Sequence, residues 1–554
     1  MEVTDGRPGT IITAALPYAN ANLHLGGVAS TYLPADTFYR YLKLRGRDAL
    51  HVCASDDFGT PILIAAEREG KKPSEYVATW NRKFEEDLRS VGVVYDLFDR
   101  TSSPENVDLV QRFFTALFER GHVFVAEVDQ FYCENDKKFL PDRYVKGRCP
   151  FCGAEDQYSD GCESCGRTIQ PGQILNPVCS ICGRAPVRKK SDHYFFRLSA
   201  FSRDLEKWLK ENENLQPDAK NYVLNWIKDG LQDWDITRDL EWGVPIPLKE
   251  ARGKVLYGWF DNHLCYIATA LKAAGKSGNE GIRFWNDSTI FHFIGKDIVY
   301  HHYLFLPSMR MGEGTYRLPD FIPTRGHLLL GGRKISKSRH WSITISDFVK
   351  HFPPDYLRYY LSRIVPYSQS DADFSWEEFR EKINNELVAS IGNFAYRSLI
   401  FVRNNHGGVV PEPGVPGSEE TELVEELRLA AEAVASQMER GHYDRALKRI
   451  LDLSSRCNQY FQHRAPWENK DSEPTTIFYS CNLVAALAVL LYPFLPFSSA
   501  ETWLQLGFRE PLTAYGWDSL SKLSVRAGQR LGELKPLFKK VEQTDIEEAE
   551  KLLG

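Results

Sequence analysis

The chain has 554 residues, which is long enough for three or more folded domains. Its hydrophobic content of 43% and its charged content of 26% are ordinary for a soluble globular enzyme. The net charge of −6 and the pI of about 6.2 exclude a protein that is basic all over, although they permit a local basic face. The sequence shows no apolar run of 18 residues and no N-terminal signal pattern, which predicts a cytoplasmic protein without a membrane segment.

The first part of the chain alternates between strand and helix patterns. A buried strand, Ile11 to Ala15, leads through a turn to an apolar-periodic helix, Val28 to Arg45. The turn ends in His24-Leu-Gly-Gly27. Glycine lets the backbone approach an anion, and the first N–H groups of a helix point at it, so this turn predicts a phosphate site. The alternative, a structural turn with a lone histidine, is the commoner one for so short a motif.

A second strand, Ala49 to Cys53, ends just before Asp56, and Thr60-Pro61 then starts a helix. This strand–helix–strand order predicts a parallel sheet, whose ligands bind at the carboxyl ends of the strands. His24 and Asp56 both lie at such ends. Asp56 is either a ligand-binding carboxylate or a helix cap, and its position alone does not separate the two.

Seven of the eleven cysteines fall between Cys133 and Cys182, in a segment that interrupts the sheet pattern. In a reducing cytosol, such a cluster favours metal binding over disulfides. Two Cys-x2-Cys pairs, each followed by glycine, predict a closed, tetrahedral and therefore structural zinc site formed by Cys149, Cys152, Cys162 and Cys165. An outer set contains Cys133, Asp136, Cys179 and Cys182. It is either a Cys3Asp zinc site or a set of packed cysteines, and the spacing allows a nested or a sequential pairing.

The sheet pattern returns after the cysteines. Thr289 to Gly295 predicts a strand, followed by a turn with Asp297 and a helix, Ile298 to Met311. An acid at a strand end takes ribose hydroxyls in other nucleotide folds, which makes Asp297 a candidate ligand. Ile298 and His302 share one helix face and can both reach a pocket. His302 is equally well explained as a satisfied core histidine.

A glycine- and lysine-rich loop, Gly331 to Ser338, follows an apolar strand, His327 to Leu330. Its two lysines and two serines form either a mobile cationic clamp for a polyphosphate or a solvated basic loop. From about residue 380 the strand signals vanish, and helical patterns run to the end, broken by a loop at 406–417. Pro466-Trp467 is predicted to open one of these helices.

Two of these motifs together resemble the signatures of class I aminoacyl-tRNA synthetases. His24-Leu-Gly-Gly27 is similar to the HIGH motif, and Lys334-Ile-Ser-Lys-Ser338 is similar to the KMSKS motif. The surrounding sequence resembles the methionyl-tRNA synthetase family, of the archaeal-like type, in two segments: Ala15-Leu-Pro-Tyr-Ala-Asn20 and Phe293-Ile-Gly-Lys-Asp-Ile-Val-Tyr-His-His302. The resemblance covers nearly the whole chain.

The resemblance implies an α/β fold in which a Rossmann-type parallel sheet is split by a zinc-knuckle insertion and followed by an all-α anticodon-binding bundle. It divides the chain into a first catalytic half (1–125), the insertion (126–240), a second catalytic half (241–325), the KMSKS loop with a linking, stem-contact domain (326–380) and the anticodon-binding domain (381–554). It also implies that the outer metal set is nested around the inner one.

The resemblance also assigns roles to single residues, with His24, Lys334 and Lys337 as the catalytic groups on the ATP phosphates. The whole ATP site is His24, Gly26, Gly27, Gly295, Asp297, Lys334, Ser336, Lys337 and Ser338. The amino-acid site is Leu16, Tyr18, Asp56, Trp259, Asn262, His263, Tyr266, Ile298 and His302, with Asp56 on the α-ammonium group. Without the resemblance, Trp259 and Tyr266 are best explained as core aromatics.

The anticodon readers implied by the resemblance are Asn393, Arg397 and Trp467. A Trp can stack on an unpaired base, while Asn and Arg reach its edge. Without the family, Asn393 and Arg397 form a solvated helix face and Trp467 is a core residue. The implied partners are ATP with Mg²⁺, methionine and tRNA(Met), and we expect a zinc-containing monomer that is not bound to a membrane.

The sequence departs from the family pattern at the active site. Gly27 replaces the second His of the HIGH motif, and Asp57-Phe58 stands where many members have a His before the Gly. Asn262-His263 replaces an Ala-Pro pair of the methionine pocket, and unpaired polar groups against an apolar ligand cost ~1–3 kcal/mol each. These two residues either point away from the ligand or meet a polar group on it.

Three hypotheses follow. The first is a methionyl-tRNA synthetase. The second is a paralogue that adenylates a more polar amino acid and joins it to a small molecule, which Asn262 and His263 would favour. The third, a non-catalytic tRNA-binding or scaffold protein, is disfavoured by His24 and the intact Lys334-Ile-Ser-Lys-Ser338.

Overall fold

The computed structural model describes residues 7–159, 162, 164–165, 167, 169, 173–257, 259–335 and 341–551. Its strands are, in chain order, β1 (Gly9–Ala14), β2 (Asp48–Ser55), β3 (Leu97–Arg100), β4 (Val123–Cys133), β5 (Lys138–Phe139), β6 (Val145–Arg148), β7 (Gln157–Tyr158), β8 (Leu175–Cys179), β9 (Val187–Phe196), β10 (Trp234–Asp235), β11 (Thr237–Arg238), β12 (Val244–Pro245), β13 (Val255–Leu256), β14 (Ser288–Gly295), β15 (Thr324–Arg325), β16 (Leu328–Leu330), β17 (Arg333–Lys334) and β18 (Ala372–Phe374).

The α-helices are Leu25–Gly27, Leu33–Leu44, Thr60–Arg68, Pro73–Ser90, Pro104–Glu119, Ser202–Glu211, Pro217–Asp229, Trp259–Ala273, Gly278–Asn286, Leu306–Glu313, Ile345–His351, Pro354–Ile364, Trp376–Lys382, Asn393–Asn405, Ser418–Glu439, Tyr443–Arg464, Glu473–Leu491, Pro496–Gln505, Leu512–Tyr515 and Gln543–Glu550. Segments of π-helix occupy Val28–Tyr32, His301–Phe305 and Ile383–Gly392.

A parallel sheet with the strand order β15-β14-β1-β2-β3 forms the centre of the N-terminal half, as the strand–helix alternation predicts. All of β14 is buried, which is why its sequence is a nearly continuous apolar run. Successive residues of β1 enter different cores, because side chains alternate between the two faces. Ile12 packs in the same core as helix Leu33–Leu44, and Ile11 packs with helix Trp259–Ala273. The carboxyl ends of β1, β2 and β14 therefore meet at one edge.

The segment that carries the cysteines folds as separate antiparallel sheets. β4 and β9 form a long antiparallel pair that is extended by β5 and β10. A smaller sheet, β7-β6-β8, brings the cysteine-bearing turns together.

The predicted clamp loop begins in a third small sheet. β16 pairs with β17 as a hairpin and with β18 in parallel. This sheet places Lys334 beside the edge of the large sheet where β1, β2 and β14 end. Ser336, Lys337 and Ser338 lie outside the described residues.

Two helices predicted near the site are less regular than expected. The helix predicted from Val28 begins instead at Leu25 and passes through a π-helical segment. The helix predicted from Ile298 to Met311 consists of a 3₁₀ turn, Lys296–Ile298, a π segment and an α-helix from Leu306. Such π segments are frequent at functional sites, because they alter which side chains face one side of a helix.

All described strands precede residue 375, and the described elements that follow are helices, as predicted. One prediction in this part is wrong, since Pro466-Trp467 does not open a helix. The preceding helix ends at Ala465, whose φ of 41° turns the chain away from the helix axis. The next helix begins at Glu473, with a proline in its first turn. Trp467 thus lies in the connecting turn and is 39% exposed.

Helix Glu473–Leu491 is long and apolar enough to cross a membrane by length and composition alone. However, 89% of this segment is buried inside the protein, so in the described part of the chain it forms the centre of the C-terminal helical core.

Candidate active site

A cavity of about 620 Å³ opens at the carboxyl edge of the parallel sheet. Most residues that the sequence analysis selected line it: Leu16, Tyr18, His24, Gly26, Gly27, Asp56, Trp259, Asn262, Tyr266, Gly295, Asp297, Ile298, His302 and Lys334. The turn predicted to bind phosphate and the predicted pocket aromatics, far apart in the chain, therefore face one space.

His24 is the N-cap residue of helix Leu25–Gly27 and lines the cavity. It has an extended backbone, and its Nδ1 accepts the backbone N–H of Gly26 at 3.1 Å. The proton of the neutral ring is therefore on Nε2, which can donate to an anion. Residues on both sides of His24 are held by backbone hydrogen bonds, from Leu25 to Ile343 and from Ile345 to Leu23.

The glycines at this side are required by close approach. A Cβ on Gly26 would lie 2.9 Å from the His24 ring, and a Cβ on Gly295 would lie 2.7 Å from a carboxylate oxygen of Asp297. Both distances are shorter than real Cβ contacts allow. Gly26 thus keeps the histidine cap in place, and Gly295 keeps Asp297 folded back over the end of β14.

Asp56 faces the cavity from the end of β2. Its backbone N–H donates to Pro17 at 2.8 Å, and its carbonyl accepts the N–H of Ala19 at 3.0 Å, which ties the end of β2 to the turn after β1. The carboxylate accepts a hydrogen bond from Nδ2 of Asn262 at 3.3 Å. Burial raises the pKa of Asp56 to about 7, an effect to which Asp57 adds by repulsion and which the Asn262 hydrogen bond partly offsets. A bound cation would return Asp56 to its ionised form.

The opposite wall of the cavity is aromatic. Trp259 stacks on His301, with ring centroids 3.9 Å apart. The hydroxyl of Tyr266 lies 2.8 Å from Nε2 of His302, and Nδ1 of His302 lies 3.0 Å from the carbonyl of Ile298. The 3₁₀ turn and the π segment that follow β14 place Ile298 and His302 together on this wall, as their spacing predicts.

The structure separates the two residues that depart from the family pattern. Asn262 lines the cavity and is paired with Asp56, so its amide is not left unpaired against a ligand. His263 is buried behind the wall, where its Nδ1 lies 2.7 Å from the carbonyl of Trp259. It does not line the cavity, so the structure does not place His263 in the amino-acid site as the resemblance implies.

Several lining residues have no counterpart in the sequence predictions: Ser30, Thr31, Tyr32, Arg143, Tyr257 and His327. Tyr257 and His327 lie next to strands. A polar side chain at a strand boundary is the sequence signal that could have identified them as cavity residues. Arg143 comes from the cysteine-bearing segment, and no local pattern marks it.

Both predicted metal sets are assembled, and their pairing is nested. Within each set, one ligand atom per residue lies within 4.8 Å of every other. In the inner set, the Sγ atoms of Cys152 and Cys162 lie 3.6 Å apart, and those of Cys149 and Cys165 lie 3.9 Å apart. Thiolates ~2.3 Å from a tetrahedral ion lie about 3.8 Å from one another, so this spacing suits zinc.

The outer set is as compact as the inner one, and one of its four ligand atoms is an oxygen. The Oδ2 atom of Asp136 lies 3.0 Å from Sγ of Cys133 and 3.1 Å from Sγ of Cys179. Cys182 completes the set, with its Sγ 3.5 Å from that of Cys133. The pairing of β4 with β9 sets Tyr132 opposite Val187 and thereby brings the segment of Cys133 beside the segment of Cys182. The donor set S3O is one that zinc accepts.

The three predicted anticodon residues also come together, about one open groove of the helical domain. Asn393 and Arg397 line this groove, which has a volume of about 670 Å³. The guanidinium carbon of Arg397 lies 5.6 Å from the ring centroid of Trp467, and its Nη2 donates to Gln462 at 3.1 Å. The exposed indole of Trp467 therefore lies beside a groove that is lined by a cation and amide groups.

Comparisons with known proteins agree with this geometry. Residues 10–399 match the family model of tRNA synthetases class I (M), and residues 410–554 match that of the anticodon binding domain of methionyl tRNA ligase. The methionine–tRNA ligase of Methanopyrus kandleri is 43% identical over 552 residues, which are 98% of this chain and 81% of that protein. The methionine–tRNA ligase of Thermococcus kodakarensis is 40% identical over 557 residues, covering 97% and 74%.

A solved structure with lower sequence identity shares the fold. The crystal structure of Mycobacterium tuberculosis methionyl-tRNA synthetase bound by methionyl-adenylate has a TM-score of 0.79 at 22% identity, covering 96% of this chain and all of that one. One family model thus covers more than half of the chain, and relatives near 40% identity cover nearly all of it. The chain belongs to the methionine–tRNA ligase family of class I tRNA synthetases.

Proposed function

We propose that this protein is a methionine–tRNA ligase, which activates methionine with ATP and transfers it to the 3′-terminal adenosine of tRNA(Met). The observation that carries the proposal is the single cavity shared by His24 and its glycines on one side and by Asp56 and the aromatic wall on the other. Identity of about 40% to methionine–tRNA ligases over nearly the full chain supports it. Nothing in the comparisons favours the small-molecule paralogue.

In the first step, the methionine carboxylate attacks the α-phosphate of ATP in line, giving methionyl-adenylate and pyrophosphate. Asp56 holds the α-ammonium group, while Trp259 and Tyr266 contact the thioether, whose polarizable sulfur favours aromatic rings. His24 donates from Nε2 to a phosphate oxygen, and Lys334 and Lys337 neutralise the β- and γ-phosphates as charge develops. Mg²⁺ bound with ATP would supply further neutralisation of the phosphates.

In the second step, a hydroxyl of the terminal adenosine of tRNA attacks the acyl carbon. Neither step needs a protein nucleophile, so the residues act by positioning and charge neutralisation. We assign the ribose of ATP to Asp297. The domain boundaries and the monomeric state expected from the sequence stay predictions, and light scattering is the direct measurement for the latter.

The direct test is amino-acid-dependent ATP–pyrophosphate exchange with each of the twenty amino acids, followed by charging of tRNA(Met). Exchange with methionine alone, and charging that depends on both motifs, would support the proposal. Strong exchange with a different amino acid would overturn it in favour of the paralogue.

We expect the KM for methionine to depend on pH through Asp56. Its pKa of about 7 means that, below this pH, most of the free enzyme carries a neutral carboxyl that cannot pair with an ammonium group. The KM should therefore rise by about tenfold from pH 8 to pH 6, since the ionised fraction of a group with a pKa of about 7 falls from about nine-tenths to about one-tenth over this range. Exchange kinetics across this range measure it, and a KM that is flat or falls toward acid would contradict it.

We assign structural zinc ions to both metal sets and expect about two zinc ions per chain by elemental analysis, as two four-ligand sites require. Cys152→Ser and Asp136→Ala should each lower the content by about one ion, because each removes one ligand of four. Asp136→Cys should keep both ions, and so should Cys265→Ser, which changes a buried cysteine outside both sets. A wild-type content of one ion would mean that the outer set does not bind zinc.

We assign base stacking in the anticodon groove to Trp467. Trp467→Ala should raise the KM for tRNA by about tenfold or more, since stacking of a base on an aromatic ring contributes ~1–3 kcal/mol. Methionine-dependent exchange without tRNA should not change. Tyr396→Ala, which removes an exposed aromatic of helix Asn393–Asn405 that does not line the groove, is the matched control. Equal losses in charging and exchange would contradict the assignment.

A further inference from the structure

Arg310 is buried behind the amino-acid pocket and forms no ion pair with a carboxylate in the described part of the chain. Only 1% of it is exposed. Its Nη1 donates to the carbonyl of Arg317 at 3.2 Å, and its Nη2 donates to Nε2 of His292 at 3.3 Å. Its guanidinium carbon lies 4.8 Å from the ring centroid of Trp285, and its Nε has no hydrogen-bond partner. Burying a cation without a counter-ion is costly, so stability alone does not explain this residue.

His292 connects Arg310 to the wall of the pocket. Because its Nε2 accepts from Arg310, the ring proton is on Nδ1, which lies 2.5 Å from the hydroxyl oxygen of Thr13. The His292 ring stacks on the ring of Tyr266, with centroids 4.7 Å apart and an angle of 28°. Tyr266 lines the cavity.

His302 completes the arrangement on the cavity side. Its Nδ1 must carry a proton, because the carbonyl of Ile298 can only accept. In the neutral ring, Nε2 is therefore bare and accepts the hydroxyl proton of Tyr266. If His302 gained a second proton, Nε2 would become a donor, and the Tyr266 hydroxyl would have to turn its own proton elsewhere. The protonation state of His302 thus fixes the orientation of a group on the pocket wall.

Resting on the proposed function, we propose that Arg310 is a positioning residue for amino-acid selection: its buried charge holds His292 and His302 in their neutral forms and so fixes Tyr266 at the pocket wall. Arg310 does not line the cavity and acts through the histidines. The Tyr266 hydroxyl donates its proton to His302, so the wall is neutral and offers no free donor there. Such a wall suits a thioether, which is uncharged and only weakly polar.

The charged and titratable groups around His302 support this role. They are Tyr266 and His263 from helix Trp259–Ala273, His292 from β14, Arg310 from helix Leu306–Glu313, and the adjacent His301. Burial is the largest cause that lowers the pKa of His302, to about 4, and the charge of Arg310 lowers it further. Burial and the same charge also lower the pKa of His263 and His292.

The experiment compares Arg310→Gln, which keeps a hydrogen-bond donor but removes the charge, with Arg310→Lys, which keeps the charge. The KM for methionine in pyrophosphate exchange is measured from pH 7.5 to 5.5 and divided by the wild-type value at each pH. The titration of Asp56 is common to all proteins, so it cancels in this ratio. For Arg310→Gln we expect the ratio to rise by about twofold or more toward pH 5.5, because the pKa of His302 rises when the charge of Arg310 is removed, although burial still holds it below the ordinary value. The kcat should stay near wild type, and Arg310→Lys should give a flat ratio.

Arg325→Gln is the matched control, because Arg325 is equally buried but packs against Tyr367 and Tyr443, outside the cavity. A merely structural role for Arg310 would give a ratio that is flat with pH, as for Arg325→Gln, or equal defects in the Gln and Lys variants. Either result would overturn the proposal.

A second measurement covers the case in which Arg310→Gln does not fold. In wild-type protein labelled with ¹³C at histidine Cε1, the His302 resonance, assigned with His302→Gln, should stay at its neutral position down to pH 5. Titration of this resonance near pH 6.5 would overturn the proposal. Failure of the proposed function is a different result, since it would appear as absence of methionine-dependent exchange in the wild type at every pH.

Discussion

Replacing Asp56 by Asn is expected to lower kcat/KM for methionine activation by about 10²-fold or more. The carboxylate lies at the cavity wall, where the α-ammonium group of the substrate would be its charge partner. Removing one partner of a desolvated charge pair costs roughly 2–5 kcal/mol, because the other charge is left unpaired. Asn262, which now donates to Asp56, cannot replace it, because its amide carries no charge. Pyrophosphate exchange at pH 8, where Asp56 is ionised in the wild type, measures the effect.

Asp57→Asn makes the same chemical change one residue further on and is the matched control. The Asp57 carboxylate accepts hydrogen bonds from Ser55 and Ser102 and does not line the cavity. This variant should lose stability but keep the KM for methionine close to the wild-type value. If the two variants had equal KM defects, or if Asp56→Asn were as active as the wild type, the role of Asp56 would be contradicted.

Replacing Lys337 by Ala is expected to lower kcat for methionine activation by ~10²-fold or more, while methionine binding stays nearly intact. Lys337 lies outside the described residues, and its assignment comes from the match of Lys334-Ile-Ser-Lys-Ser338 to the family motif. The expectation follows because its charge meets the β- and γ-phosphates as they depart, and contacts made only in the transition state affect the rate rather than ground-state binding. Single-turnover formation of methionyl-adenylate measures the rate of activation, and calorimetry measures the Kd for methionine.

Arg333→Ala is the control for general damage to the hairpin. Arg333 is exposed in β17 and lies over the ring of Trp341, with its guanidinium carbon 5.3 Å from the ring centroid. It does not line the cavity, so its removal should change kcat by less than the Lys337 variant. Equal losses of methionine affinity and rate in Lys337→Ala would count against its role as a transition-state contact.

Local sequence signals account for the elements that carry the site. The apolar runs of β1 and β14 predict buried strands because both faces of the central sheet are covered. His24 and the two glycines that follow it in helix Leu25–Gly27 predict a phosphate site, since a helix start exposes N–H groups. The Cys-x2-Cys spacing predicts the inner metal set, because two such pairs supply four thiolates. The prediction for Pro466-Trp467 failed because a left-handed Ala465 and a later proline decide where these helices end and begin.

The order of elements, the composition of the metal sets and, through its motifs, the family can therefore be predicted from the sequence alone. Which side chains share a space depends on the tertiary structure. Asn262 and His263 are neighbours in the chain, but successive helix residues point about 100° apart. One consequently lines the cavity, and the other packs behind it. The charge of Arg310 likewise acts on His292 only because the fold buries the two side chains together. The electric field of a charge is strong where water does not screen it.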